Sequence, residues 1–213
     1  LEQAEKNGAR VVREKVTLEA VGEEVRVRLG GEVQAFDAVV LSSGAWVKEL
    51  LEPLGYYVDV RPQKGQLIEL TLETTEDTSK WPVCMLHGEI DILPFPDGKI
   101  LVGATHENTQ GFDLVPDEEL LNGMYEEACA SLPSLKNAKR SGVRVGTRAY
   151  TSDFLPFFGE VPNTTNAFVA SGLGSSGLTS GVWIGECLAR MAAGEEVGFS
   201  VEKYTPQNYV RKV

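Results

Sequence analysis

Cysteine and histidine are both scarce in this 213-residue sequence. The cysteines (Cys84, Cys129, Cys187) form no Cys-x-x-Cys pair, and the two histidines, His87 and His106, are far apart in sequence. That excludes a disulfide framework and a zinc-finger pattern, leaves no metal-ligand set, and points to a reduced, cytoplasmic chain. Basic residues are also in deficit: 20 Lys and Arg stand against 31 Asp and Glu, a formal charge of −11. A surface this acidic repels phosphate backbones and anionic lipids, so nucleic acid and membrane surfaces are poor partners. Long hydrophobic runs are absent. The longest uncharged stretch, residues 161–185, is full of Gly, Ser, Thr and Asn rather than Leu and Ile, so it is no membrane span. The opening Leu1-Glu2-Gln3-Ala4-Glu5-Lys6 is a charged helical sequence without the apolar core of a signal peptide. With no nucleophile-elbow motif either, Ser-His-Asp hydrolysis has no support.

What is present is an ordinary globular balance, 42% hydrophobic and 24% charged, enough for one good core or two small ones. The pattern along the chain changes twice. The first section reads as a short helix ending at Asn7-Gly8, then strands over 9–14, 16–21 and 24–29 broken at Gly22 and Gly30-Gly31. Ala38-Val39-Val40-Leu41 is a continuous apolar run, expected to be a strand covered on both faces, and residues 46–54 read as a helix closed by Gly55. The middle alternates instead. Strands are expected over 66–72, 90–95 and 99–105, with Pro96-Asp97-Gly98 as a hairpin turn. A helix follows over 116–132 with Leu120, Leu121, Met124, Ala128 and Leu132 on one face, then a strand over 141–150. The last section is a buried strand over 167–171, a glycine-rich turn over 172–181 and a helix over 182–193, with a weak strand over 197–201. This is an α+β chain: an α/β layer formed by residues 1–55 and 157–213, interrupted by an antiparallel-sheet domain over 56–156.

Two constellations stand out chemically. Gly172-Leu173-Gly174-Ser175-Ser176-Gly177 is a G-x-G-x-x-G between a strand and a helix, where backbone N–H groups and the helix N-terminus favour an anionic or carbonyl oxygen. A dinucleotide fingerprint of that form opens a βαβ unit, and only one weak strand follows here, so a turn needed for strand–helix packing is an equally good reading of the lone motif. Arg144, Gly146, Arg148 and Tyr150 have i, i+2 spacing and share one strand face, opposite Val143, Val145 and Thr147. A guanidinium fork there suits a carboxylate, and the Tyr150 phenol adds a donor. Spacing alone nevertheless favours an arginine paired with a solvated glutamate. His106, at a strand end, and the buried-looking Cys129 and Cys187 complete the inventory.

Several segments resemble, in order, those of the D-amino-acid-oxidase-type flavoproteins, the group containing glycine oxidase and sarcosine oxidase. Asp37-Ala38-Val39-Val40-Leu41-Ser42-Ser43-Gly44-Ala45-Trp46 is similar to the segment that closes their FAD domain, and Pro62-Gln63-Lys64-Gly65-Gln66 to the P-x-x-G-Q that leads into their substrate domain. The hairpin around Pro96-Asp97-Gly98 is similar to their antiparallel sheet. Gly146-Thr147-Arg148-Ala149-Tyr150-Thr151-Ser152-Asp153-Phe154-Leu155-Pro156 resembles their G-x-R-P-x-T-x-D-x-x-P signature, with Ala149 where that pattern has proline. The resemblance implies an FAD-dependent oxidoreductase of a small amino acid or related amine, with FAD bound non-covalently because the late glycine loop holds no cysteine. It implies Arg148 as the carboxylate-binding residue, with Tyr150 and His106 lining the substrate pocket. It places Gly44, Trp46, Gly172, Gly174, Ser175, Ser176, Gly177 and Leu178 near the cofactor. A non-catalytic carboxylate-binding module is the alternative. No G-x-G-x-x-G unit precedes residue 37, so the expectation is a C-terminal portion of a longer flavoprotein that neither holds FAD nor turns over alone.

Overall fold

The computed structural model describes residues 1–88 and 90–213. Along the chain run α1 (Glu2–Lys6), β1 (Thr17–Val21), β2 (Glu24–Leu29), β3 (Glu32–Gln34), β4 (Val39–Leu41), α2 (Val47–Leu51) and β5 (Tyr56–Val58). Next come β6 (Arg61–Thr71), β7 (Cys84–Met85), β8 (Asp91–Pro94), β9 (Lys99–Gly103), α3 (Glu118–Ser131) and β10 (Lys139–Tyr150). The last are β11 (Phe157–Glu160), β12 (Ala167–Ser171), α4 (Gly177–Ala192) and β13 (Val210–Lys212). They divide into two compact units, one made of Leu1–Val60 with Thr151–Val213 and the other of Arg61–Tyr150. Mixed helix and sheet, antiparallel throughout the 61–150 unit and with one parallel pair in the other, is the α+β class expected from the sequence.

In the 61–150 unit the strands lie in the order β10-β6-β9-β8-β7, every pair antiparallel. Alternation along β6 sends Ile68 and Leu70 to a face where Ile92, Ile100 and Val102 meet Leu121, Met124, Ala128 and Cys129 of α3, all buried. Each large apolar side chain withdrawn from water there contributes roughly 1.5–3 kcal/mol. Asp117 caps α3 by accepting from the backbone N–H groups of Glu119 and Leu120. Leu120, expected on the apolar face, is 43% exposed because the buried stripe runs through Leu121, Met124, Ala128 and Cys129. The hairpin between β8 and β9 differs in detail from expectation. Pro96 precedes the turn, and Asp97 and Gly98 take φ of 60° and 71° as its central pair.

In the other unit β12 pairs parallel with β4 and antiparallel with β11. Beside it lie the meander β1-β2-β3 and the pair β13-β5. Asn166 ties the meander to the central sheet. Its side-chain oxygen accepts from the Val25 N–H (2.8 Å), and its amide donates to the Val25 and Phe36 carbonyls (2.9 and 3.0 Å). Helix α4 lays Ile184, Cys187 and Leu188 against Phe158, Phe168 and Ala170.

Four expectations need correction here. Residues 9–14 form no strand; they are exposed, with Val11 and Val12 given no apolar neighbour to bury them. β4 is not covered on both faces: α4 packs on β11 and β12, and Val40, at the sheet edge, stays exposed. The glycine-rich stretch is not all turn, since α4 starts at Gly177, where Gly177 and Gly181 admit the Leu173 side chain beside the first turns. Residues 197–201 form no strand; Phe199 stacks on Trp183 at 4.5 Å instead of joining a ladder.

Candidate active site

Arg148 occupies the third-last position of β10, opposite Gln63 of β6. In this register Gly146 faces Gly65, and residues two apart share a face, so Arg148, Gly146 and Gly65 lie together on the face turned away from the α3 core. The guanidinium beds down over Gly65. A Cβ at that position would come within 2.3 Å of Arg148 Nη1 and 2.7 Å of Cζ. Glycine is required here for close approach, and that gives the P-x-x-G-Q segment a physical meaning. Arg148 Nη1 donates to the Thr105 carbonyl at 3.0 Å. Burial pushes its pKa below the ordinary arginine value, and no carboxylate among the described residues lies in ion-pair range. A half-buried guanidinium without a carboxylate partner among the described residues is chemically suited to an anion, and its planar fork matches a carboxylate best.

The guanidinium opens on a cavity of about 250 Å³, walled by Gly65, Leu67, Ala104, Arg144, Gly146 and Arg148. Arg144 pairs with Glu69 and is mostly solvated. Tyr150 ends the strand on the Arg148 face and is buried. His106 is exposed and lines a second cavity of about 620 Å³, shared with Glu107, Glu119, Leu120, Met124 and Ile90 on the α3 side. Arg148 and His106 therefore belong to different cavities, with Ala104 on the wall of both.

The other sequence-predicted residues collect in the remaining unit, at the carboxyl ends of the parallel strands β4 and β12, where α/β sheets bind ligands. Gly44, Gly172 and Gly174 all take positive φ (55°, 74° and 54°). The two loops are joined by the wholly buried Ser171, whose hydroxyl donates to the Gly44 carbonyl at 2.8 Å. Gly172 is confined as well as left-handed: an added Cβ would lie 2.8 Å from Thr151 Cγ2 and 3.0 Å from the Leu155 carbonyl. Ser175 is exposed, and Ser176 is spent locally on the Leu173 carbonyl. No side-chain cap bond closes the start of α4, and Leu178 in its first turn is 98% exposed. Trp46 is 44% exposed beside Gly44. Ser43 Oγ is buried without a hydrogen-bond partner among the described residues. An orphaned hydroxyl, a left-handed glycine loop and an uncapped helix start together suit the carbonyl- and nitrogen-rich edge of a flavin, so these residues fit that part of an FAD.

One group was missed in the sequence. Thr151, fully buried, donates to the Leu155 carbonyl (2.7 Å) and Asp153 Oδ1 (2.9 Å), while Asp153 Oδ2 accepts from the Tyr209 hydroxyl (2.9 Å). Burial opposes the Asp153 charge, but the bonds from Leu155, Tyr209 and Thr151 outweigh it and hold its carboxyl below the usual range. Burial, reinforced by Asp153, pushes Tyr209 up to about 12. The T-x-D-x-x-P stretch is thus the scaffold beneath Gly172. Only its Thr and Asp, two apart in a turn, hinted at this.

The sequence matches the profile of the DAO family, described as FAD dependent oxidoreductase, over residues 1–191. It is 38% identical over 210 residues to an uncharacterized oxidoreductase, YurR, of Bacillus subtilis, covering 97% of this chain and 56% of that protein. It is 31% identical over 176 residues to glycine oxidase of Pseudomonas aeruginosa, covering 83% and 47% respectively. Among solved structures, iminodiacetate oxidase from Chelativorans sp. BNC1 superposes with a TM-score of 0.91 at 32% identity, over 96% of this chain and 56% of that one. The chain spans about half the length of the curated relatives it matches. Among the described residues no helix is long and apolar enough to cross a membrane, and no group of His, Cys, Asp and Glu is arranged to hold a metal ion.

Proposed function

Because the chain belongs to the FAD dependent oxidoreductase (DAO) family, we propose that the protein built on it oxidises a small amino acid or related carboxylate-bearing amine. The observation that carries this reading is the Arg148 guanidinium, half-buried over Gly65 without a carboxylate partner among the described residues. Arg148 holds the substrate carboxylate in paired, charge-assisted hydrogen bonds, which fixes the orientation of the α-carbon. Tyr150 supports the same strand face. In the other unit, Gly44, Gly172, Gly174, Ser175, Gly177 and Leu178 offer backbone N–H groups and a helix start to the flavin edge, with Ser43, Trp46 and Ser176 beside them; the Ser176 N–H itself is taken by the Leu173 carbonyl. Those dipoles favour negative charge that develops during reduction. What FAD supplies when bound is acceptance of the amine's α-hydrogen and electron pair, which leaves an imine for water to hydrolyse to an oxo acid. His106 lines the α3-side cavity and takes no part in carboxylate binding.

We further propose that this stretch alone does not hold FAD tightly and does not turn over, since it covers about half of its relatives and shows no strand–G-x-G-x-x-G–helix unit ahead of residue 37. The test is amine oxidation by the full-length, FAD-loaded protein, with Arg148→Ala as control and FAD titration of the 213-residue chain in parallel. Activity that falls about 100-fold in the variant, equivalent to about 2.7 kcal/mol, supports the oxidase. An FAD-loaded protein inert towards amines that still binds carboxylates favours the non-catalytic module, and tight FAD binding by the shorter chain overturns the second proposal.

A further inference from the structure

The 61–150 unit contains a buried ionic cluster that carboxylate binding does not itself use. Lys64 lies on the inward face of β6, in line with Gln66, Ile68 and Leu70, and its side chain is only 3% exposed. Its ammonium donates to the Val115 carbonyl (2.5 Å) and to Asp113 Oδ2 (3.3 Å), and lies 3.9 Å from Glu107 Oε2. Glu107 Oε1 accepts from Gln66 Nε2 (2.7 Å) and from the Thr105 hydroxyl (2.6 Å). Lys64 and Glu107 also exchange backbone hydrogen bonds of 2.9 and 3.0 Å. The Gln66 carboxamide oxygen accepts from the N–H of Asp117, the cap of α3, at 2.8 Å.

All of this converges on Thr105. Its N–H donates to the Gln66 carbonyl (3.1 Å), and its hydroxyl accepts from the Gln66 N–H (2.9 Å) while donating to Glu107. Its remaining polar group, the carbonyl, receives Arg148 Nη1. Residues 104–115 have no regular strand or helix beyond the Lys64–Glu107 bridge, so these bonds are what fix the direction of that carbonyl. Burying a lysine and a carboxylate costs several kcal/mol of desolvation per ion, and an apolar pair would fill the same space without it. The cluster is therefore better explained by the geometry it enforces than by the stability it adds.

We propose that Thr105, clamped by Gln66 and Glu107 with Lys64 balancing the charge, is a positioning residue that locks the Arg148 guanidinium in plane over Gly65. One of the five guanidinium donors is committed to the Thr105 carbonyl. Gly65 forms the floor beneath the plane, and the free edge of the fork is presented to the substrate carboxylate. An arginine held this way has already lost the side-chain freedom that binding would otherwise cost. The proposal rests on Arg148 being the carboxylate site, so its test must separate the two.

The measurement is the dissociation constant of sodium acetate, with methylammonium chloride as a cationic control, read from the flavin absorbance change of the full-length holoenzyme. Thr105→Val keeps shape and carbonyl but removes the hydroxyl. It is expected to weaken acetate about tenfold, to leave methylammonium within about twofold, and to be rescued to within about twofold by Thr105→Ser. If Thr105→Val does not fold, Glu107→Gln carries the same prediction at about threefold. Unchanged acetate affinity in the folded variant, or equal weakening of both probes, overturns the positioning role. Acetate that fails to bind the unaltered protein, or that binds Arg148→Ala equally well, overturns the carboxylate site beneath it.

Discussion

The two units build their candidate binding groups from opposite materials. In the 61–150 unit the working group is a side chain: one guanidinium, placed by strand register, floored by a glycine and held by a buried ionic cluster. In the unit made of residues 1–60 and 151–213 the working groups are backbone N–H dipoles at the ends of two parallel strands, placed by left-handed glycines and by the Thr151–Asp153 scaffold. The difference shows how each site fails. A charge-based site is lost by removing one side chain, whereas a backbone-based site survives most side-chain deletions and fails when a Cβ is added or its scaffold is cut.

The sharpest way to break the second unit is through its scaffold. Asn166→Ala strands the buried Val25 N–H and leaves the Val25 and Phe36 carbonyls without their side-chain donor. A loss of about 3 kcal/mol or more is expected in denaturant unfolding of that unit, with the 61–150 unit unaffected. Next comes a contrast between two glycines of the same sheet. At Gly103 a Cβ would sit 2.5 Å from Leu67 Cβ and 3.2 Å from its Cα, atoms that cannot step aside. Gly103→Ala should therefore cost about 1–3 kcal/mol of stability. At Gly65 the obstacle is the far end of the Arg148 side chain, which can give way only by leaving its place over the glycine. Gly65→Ala should shift the melting temperature by only about 1–2 °C while weakening acetate binding about tenfold. A matched loss of stability in both variants would show that Gly65 serves packing rather than the guanidinium.

The smallest expected effect is one of pH. Tyr209 is raised from 10.0 to about 12 in the folded protein, so the stability it contributes is complete below pH 10 and drains away as pH climbs towards 12. Asp153 is lowered, so its contribution is present above the ordinary carboxylate range and lost as pH falls through its depressed value. Tyr209→Phe should flatten the alkaline decline in thermal melts without touching unit 61–150; an unchanged decline would remove Tyr209 from the scaffold.

Sequence patterning revealed what depends on local or periodic order. The hairpin at Pro96-Asp97-Gly98, the amphipathic helix α3 and the buried β12 run were all readable, because turn chemistry and periodicity act over a few residues. Residues 9–14 misled because β-branched content without a neighbouring strand makes no ladder. The Lys64–Glu107 pair was invisible for the opposite reason. Lysine and glutamate normally read as solvated, and these two are joined across a fold rather than along a helix. A signal existed: Lys64 shares its strand face with Gln66, Ile68 and Leu70, so a charge sat in line with an apolar stripe. Arg148 was a borderline case. Spacing placed it on an open face but favoured a surface ion pair, and family resemblance reversed that reading. The structure adds Gly65 beneath the guanidinium and the Thr105 carbonyl beside it.

The most direct measurement compares kcat/KM of the full-length, FAD-loaded protein for an α-amino acid and for the same amine lacking its carboxylate, each with and without Arg148→Ala. If the guanidinium recognises the carboxylate, the unaltered protein prefers the amino acid by about 100-fold, and the variant loses that preference while acting on the simple amine as before. Equal losses on both substrates, or a preference that persists in the variant, would contradict the assignment of Arg148 as the carboxylate site.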